Sequence, residues 1–192
     1  MRISEILYFS PKYKYSELDW DNKENLIEAF IDRVEGYYIQ PTELLNEDKK
    51  GFATGVLCIT TIDFLAKFLY TGANRMIKWL KKNIKAFNKL DPNLTSRTLA
   101  DRFYDEFRNG LIHEGRIKNA GQFSYDFPDI IKVEKNVMIV NPNILLNDLM
   151  TILENFINRI KVSESEFLKF KESLIRDFTQ EINYVKNDNV SH

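Results

Sequence analysis

Between Phe52 and Tyr70 the chain carries Val56, Leu57, Ile59, Ile62, Phe64, Leu65, Phe68 and Leu69, which cover nearly every side of a helix. Asp63 and Lys67 are the only charges in that stretch. A helix that is apolar all round must be covered by neighbours, so it belongs in the middle of a bundle. This one stretch excludes an all-β fold and requires other amphipathic segments to surround it.

The rest of the chain supplies them. Asp21, with Glu24 three residues on, is a helix start, and Leu26, Ile27, Phe30, Ile31, Val34 and Tyr38 follow at helical spacing until Pro41. Residues 73–88 read as a one-sided helix with Met76, Ile77, Leu80, Ile84 and Phe87 inward. After Asp91-Pro92, Thr95 or Ser96 is the expected cap of a helix carrying Leu99, Phe103, Phe107 and Leu111, which should end near Gly115. Gly121 to Pro128 reads as loop. Ile130–Val133 and Val137–Val140 read as a small hairpin joined by Glu134-Lys135-Asn136. Asn141-Pro142 opens a regular helix through Ile160, and Ser163 with Glu166 caps a last one carrying Phe167, Phe170, Leu174, Phe178 and Ile182.

The expected fold is all-α: a single helical bundle of five or six helices with a small hairpin inserted near 130–140. Residues 1–192 form one domain in this reading, with an aromatic-rich N-terminal arm over 1–20 and a frayed tail over 187–192. No uninterrupted apolar run of about 18 residues is present and the start lacks a signal peptide's apolar region, so the expectation is a soluble, cytoplasmic protein without a membrane. One cysteine, Cys58, cannot close an internal disulfide and reads as a small core residue.

The chemistry concentrates in Arg108-Asn109-Gly110-Leu111-Ile112-His113, at the end of the helix that Leu99 begins. His113 is one of two histidines, the other being the terminal His192. Histidine titrates near neutrality and passes protons as general base or acid. Arginine keeps its charge and can clamp a phosphate where charge builds up. Asn109 is placed to orient the imidazole or hold a phosphate oxygen, and Arg116 and Lys118 lie just beyond, where backbone substrate could run. On an α-helix, five residues turn through about 140° and advance about 7.5 Å. Arg108 and His113 therefore face apart unless the helix is loosened at Gly110 or each meets a partner from another element or subunit.

This segment resembles the R-N-x-x-x-H signature of the HEPN superfamily. The resemblance implies a compact helical bundle carrying the motif near a helix end. It also implies a metal-independent endoribonuclease, of the kind found in toxin–antitoxin, phage-defence and CRISPR systems, that needs no cofactor and leaves a 2′,3′-cyclic phosphate and a 5′-hydroxyl. Arg108 and His113 would be the catalytic pair and Asn109 an assistant. A homodimer would form a composite cleft for RNA, with an antitoxin or regulatory protein as a further partner. An acidic or polar residue on an earlier helix often points at such motifs, and Asp63 is the candidate here.

Other readings of the same residues stay open on sequence alone. Arg108 can pair with Asp105 one turn back, and His113 can sit at a helix C-terminus favoured by the dipole. Residues 71–90 hold Arg75, Lys78, Lys81, Lys82, Lys85 and Lys89 with no acid. Lys78 and Lys82 in that stripe belong either to an RNA track or to a solvated helix face. A net charge of −1 argues against broad nucleic-acid affinity and keeps a non-catalytic adaptor, binding a partner protein or nucleotide, in view. No histidine or cysteine cluster, phosphate-binding glycine loop or serine–histidine–acid signature accompanies the motif.

Overall fold

The computed structural model of the chain describes residues 1–4 and 6–188. The fold is mostly helical with small strand pairings, and it divides into two compact units: residues 1–41 with 153–192, and residues 42–152. The expected tail falls largely outside the described residues, as does His192.

In the first unit, a two-residue pairing of β1 (Arg2–Ile3) with β2 (Ile6–Leu7) leads into a short 3-10 turn at Tyr15–Glu17. The aromatic arm is ordered: Phe9, Tyr15 and Leu18 are buried, and Phe9 meets Tyr15 and Phe178 edge-to-face at 5.4 Å. Helix α1 (Lys23–Val34) starts one residue later than expected, because Asn22 rather than Asp21 caps it by accepting from the Asn25 N–H. Asp21 instead accepts from Lys171 Nζ at 2.8 Å. Pro41 does not end the helix. The chain widens into a π-helical turn at Glu35–Ile39 and resumes as α2 (Gln40–Glu47), so the proline sits in the first turn of a new segment, where its missing N–H costs little.

The second unit is built on α3 (Gly51–Leu69). By length and composition α3 could cross a membrane, but Cys58, Ile59, Ile62, Leu65 and Ala66 are buried within the protein. Burial pushes the Cys58 thiol up to about 12, as a core residue requires. Cover on α3 is incomplete: Phe52 and Thr60 are exposed and Val56, Leu57, Asp63 and Phe64 only half-buried, so one polar-marked strip stays open. Helix α4 (Arg75–Asn83) packs on α3 and stops at Ile84, which is extended, so the expected helix over 73–88 finishes as a separate 3-10 turn at Lys85–Asn88.

Residues after Asp91-Pro92 do not start a helix. They form a hairpin, β3 (Leu90–Asp91) with β4 (Leu94–Thr98), turned by the Asp91 side chain accepting from the Asn93 N–H. The cap is Thr98, two residues beyond Ser96 and three beyond Thr95, in a reciprocal capping box with Asp101. Helix α5 (Leu99–Phe103) then continues as a π-helix over Tyr104–Glu114, ended by Gly115 at φ 66°. Phe103 and Phe107 are buried and their rings stack at 5.0 Å.

The expected loop at 121–128 contains a strand: β5 (Gln122–Phe123) pairs in parallel with β7 (Val137–Val140), and β6 (Ile131–Glu134) pairs with β7 in antiparallel. Lys135 and Asn136 both have positive φ, the two-residue turn that suits a right-twisted hairpin. Gly55 makes this sheet's seat on α3, since a Cβ there would lie 2.1 Å from Phe123 Cζ. Asn141 caps α6 (Pro142–Val162) through the Asn143 and Ile144 N–H groups, as its sequence implies. Ser163 opens α7 (Glu164–Asp177), which breaks at Phe178 before α8 (Thr179–Asp188).

Candidate functional site

The motif lies inside the π-helix, and this changes its geometry. A π ladder bonds each N–H to the carbonyl five residues back, so residues i and i+5 come close to one face, which an α-helix does not allow. The five-residue spacing of Arg108 and His113 is the spacing of that ladder. The π ladder therefore lessens the α-helical offset between the two residues, although no hydrogen bond or ion pair among the described residues joins Arg108 to His113.

Gly110 admits a second feature. The chain after Gly115 folds back across the helix, with the Arg116 N–H donating to the Gly110 carbonyl at 3.3 Å and the Lys118 N–H to the Glu106 carbonyl at 2.9 Å. A Cβ on Gly110 would sit 2.5 Å from the Arg116 carbonyl oxygen. Glycine is needed here for close backbone approach rather than for a positive φ.

Arg108 reaches neither Asp105 nor solvent alone. Its Nη2 donates to Asp63 Oδ2 on α3 at 3.0 Å and its Nη1 to Asn109 Oδ1 at 3.1 Å, while its guanidinium lies 5.5 Å from the Tyr104 ring centroid. Both ion-pair partners are half-buried, each side chain 19% exposed. Arg108 Nε is buried without a hydrogen-bond partner. Asp63, Arg108 and Asn109, separated by up to 45 residues in the chain, thus form one cluster. His113 is exposed in the last turn.

The remaining cations fare differently. Lys118 Nζ lies 3.3 Å from Asp105 Oδ1 and 3.4 Å from Glu114 Oε1, and Arg116 Nη2 lies 2.6 Å from Glu114 Oε2. The two acids hold Lys118 protonated beyond the usual lysine range, through the Asp105 hydrogen bond first. Lys78 and Lys82 are exposed on the outer face of α4, Lys85 and Lys89 are exposed in and just after the following 3-10 turn, and Lys81 pairs with Asp101 at 3.0 Å. Among the described residues, no three His, Cys, Asp or Glu side chains converge as metal ligands would.

Beneath the motif lies a buried network that no sequence pattern announces. Arg102 Nε donates to Glu106 Oε1 at 2.8 Å, Nη1 to Asp91 Oδ1 at 3.4 Å and Nη2 to the Asn136 carbonyl at 2.6 Å. Arg97 Nε reaches Asp91 Oδ2 at 3.0 Å, and Asn119 Nδ2 reaches Glu106 Oε1 at 3.0 Å. Burial raises the Asp91 pKa, but the Asn93 N–H and the Arg97 and Arg102 guanidiniums outweigh it, holding the carboxyl below its usual value of 3.8. Two arginines and two acids balance in charge. Glu106 lies on the π-helix and Asn119 on the returning turn, so the network fixes the backbone on which the motif stands. The signal available in sequence was the i, i+4 pair Arg102–Glu106, which by itself reads as an ordinary surface pair.

Comparisons of the chain with family models, with curated proteins and with solved structures give no match.

Proposed function

We propose that this chain is a metal-independent endoribonuclease of the HEPN type, acting at Arg108, Asn109 and His113. The observation carrying the reading is the placement of R-N-x-x-x-H within a π-helix, whose five-residue ladder matches the motif's spacing, with Arg108 held by Asp63 on α3. In this reading His113 takes the proton from a ribose 2′-OH or returns one to the leaving 5′-oxygen. Arg108 stabilises the charge gathering on the phosphorane-like oxygens. A guanidinium has five N–H donors. Asp63 and Asn109 each take one N–H, from Nη2 and Nη1, so each of these nitrogens keeps a second donor, while Nε is buried. Asp63 is a positioning residue here, and Lys78, Lys82, Arg116 and Lys118 are the cations offered to the RNA backbone.

With the reading come a helical-bundle architecture, a homodimer, a cytoplasmic setting in defence or a toxin–antitoxin pair, and a regulatory protein partner. The test is cleavage of RNA by purified protein in excess chelator, with analysis of the product ends. Ends bearing 2′,3′-cyclic phosphate and 5′-hydroxyl are expected. Intact RNA, or cleavage that the chelator abolishes, refutes the reading.

One observation favours a second reading, a non-catalytic adaptor: Arg116 and Lys118 are both engaged by acids. Expression of the wild type against Arg108→Ala and His113→Ala separates the two. Growth inhibition that the variants relieve belongs to the ribonuclease, and identical growth to the adaptor.

A further inference from the structure

Glu114 stands between His113 and the Gly115 turn, and its two carboxylate oxygens serve two different cations. Oε2 lies 2.6 Å from Arg116 Nη2 and Oε1 lies 3.4 Å from Lys118 Nζ. The backbone carrying those cations is pinned to the helix by the Arg116 and Lys118 N–H groups, so their side chains project from a fixed turn. Arg116 is 65% exposed, Lys118 27% and Glu114 36%, which keeps all three within reach of solvent.

We propose that the Glu114 carboxylate is an internal occupant of a phosphate subsite made by Arg116 and Lys118, and that an RNA phosphodiester binds there by displacing it. The inference rests on the ribonuclease reading for the identity of the ligand. A carboxylate and a phosphodiester offer the same feature, anionic oxygens that accept charge-assisted N–H bonds. Arg116 has Glu114 as its acid partner, whereas Lys118 keeps Asp105 when Glu114 leaves. The exchange therefore liberates one full cation, Arg116. Exposed ion pairs are individually weak, so a polyanion that also meets other cations can compete with Glu114, whereas a lone small anion gains little. The device makes binding at the motif selective for a chain of phosphates.

The test uses a short 2′-O-methylated oligoribonucleotide, which lacks the attacking hydroxyl, and follows its binding to the full chain by fluorescence anisotropy. Glu114→Gln should bind about two- to fivefold more tightly than wild type. Its salt dependence should steepen by about 0.7 in log–log slope, one added single-strand phosphate contact. Glu134→Gln is the matched control, since it breaks an equally exposed pair with Lys132 at 2.6 Å and removes the same charge. It should leave affinity unchanged. In an Arg116→Ala background the gain from Glu114→Gln should vanish.

No tightening in Glu114→Gln, an equal gain in Glu134→Gln, a gain that survives loss of Arg116, or no binding by any variant each overturns the proposal. Cleavage is not read, so a failed ribonuclease assay sinks the catalytic reading without touching this result. Active enzyme with an indifferent Glu114→Gln sinks this proposal alone.

Discussion

Arg102 and Arg108 lie six positions apart on one helical stretch and do opposite things. Arg102 is 1% exposed, and each of its three side-chain nitrogens donates, to Glu106, Asp91 and the Asn136 carbonyl. Arg108 is half-buried, held by Asp63 and Asn109, with Nε unpartnered. Full burial with every nitrogen used marks a guanidinium that belongs to the framework. Partial burial with donors to spare marks one that is aimed but not consumed. In the ribonuclease reading, the difference separates what builds the motif's backbone from what the motif would offer to RNA.

The largest effect expected from breaking the comparison is on stability. Arg102→Met leaves the buried Asp91 and Glu106 with Arg97 as their one remaining cation and should destabilise by about 3–5 kcal/mol in urea titration. Arg108→Met should change stability by no more than about 1 kcal/mol, because its pair is part-exposed. Equal losses in the two variants would erase the distinction.

Gly110→Ala comes next, and its sign is informative. Helix propensity alone predicts a gain of about 1 kcal/mol. The added Cβ meets the Arg116 carbonyl oxygen at 2.5 Å and the Lys118 nitrogen at 3.1 Å, backbone atoms that cannot swing aside, so a loss of about 1–3 kcal/mol is expected.

Acid sharpens the comparison further. Asp91 and Asp101 both titrate below their usual 3.8 when folded: burial opposes this, and N–H, hydroxyl and cationic partners outweigh it. Unfolding returns each to its ordinary value, so the unfolded chain takes up protons first as pH falls. Their stabilisation is complete above that range and is lost as pH drops through about 4 and below. Denaturation midpoints measured down this range should fall, and the fall should lessen in Asp91→Asn.

The smallest stability effect belongs to Asp63→Asn, which keeps an acceptor for Arg108 and loses only the charge. A change of a few tenths of a kcal/mol is expected, together with a lower cleavage rate constant at unchanged KM.

Much of this arrangement was readable in the residues. Asp63 stood out as the lone acid on an apolar helix, but only the HEPN resemblance turned it toward the motif, whereas Asn141-Pro142, Gly115 and the 130–140 hairpin carry local signals strong enough to place themselves. The buried network was hidden because its pieces come from Asp91, Arg97, Arg102, Glu106 and Asn119, and it depends on a hairpin that starts where Thr95 and Ser96 mimic a helix cap. The π-helix was hidden for a different reason. The turn packed on Gly110 and the Glu106 anchor that accompany its ladder are tertiary features, and the Leu99–Phe103–Phe107 row looks the same in sequence for an α-helix. The division into two units is carried by contacts rather than by a linker, so composition did not announce it.

The central claim is that Arg108 and His113 act on RNA while Arg102 only supports them. Single-turnover cleavage of one RNA by wild type, Arg108→Ala and His113→Ala, each first shown to be folded, tests it most directly. The account predicts losses of about 10²-fold or more in both variants. Cleavage by both at the wild-type rate would contradict it.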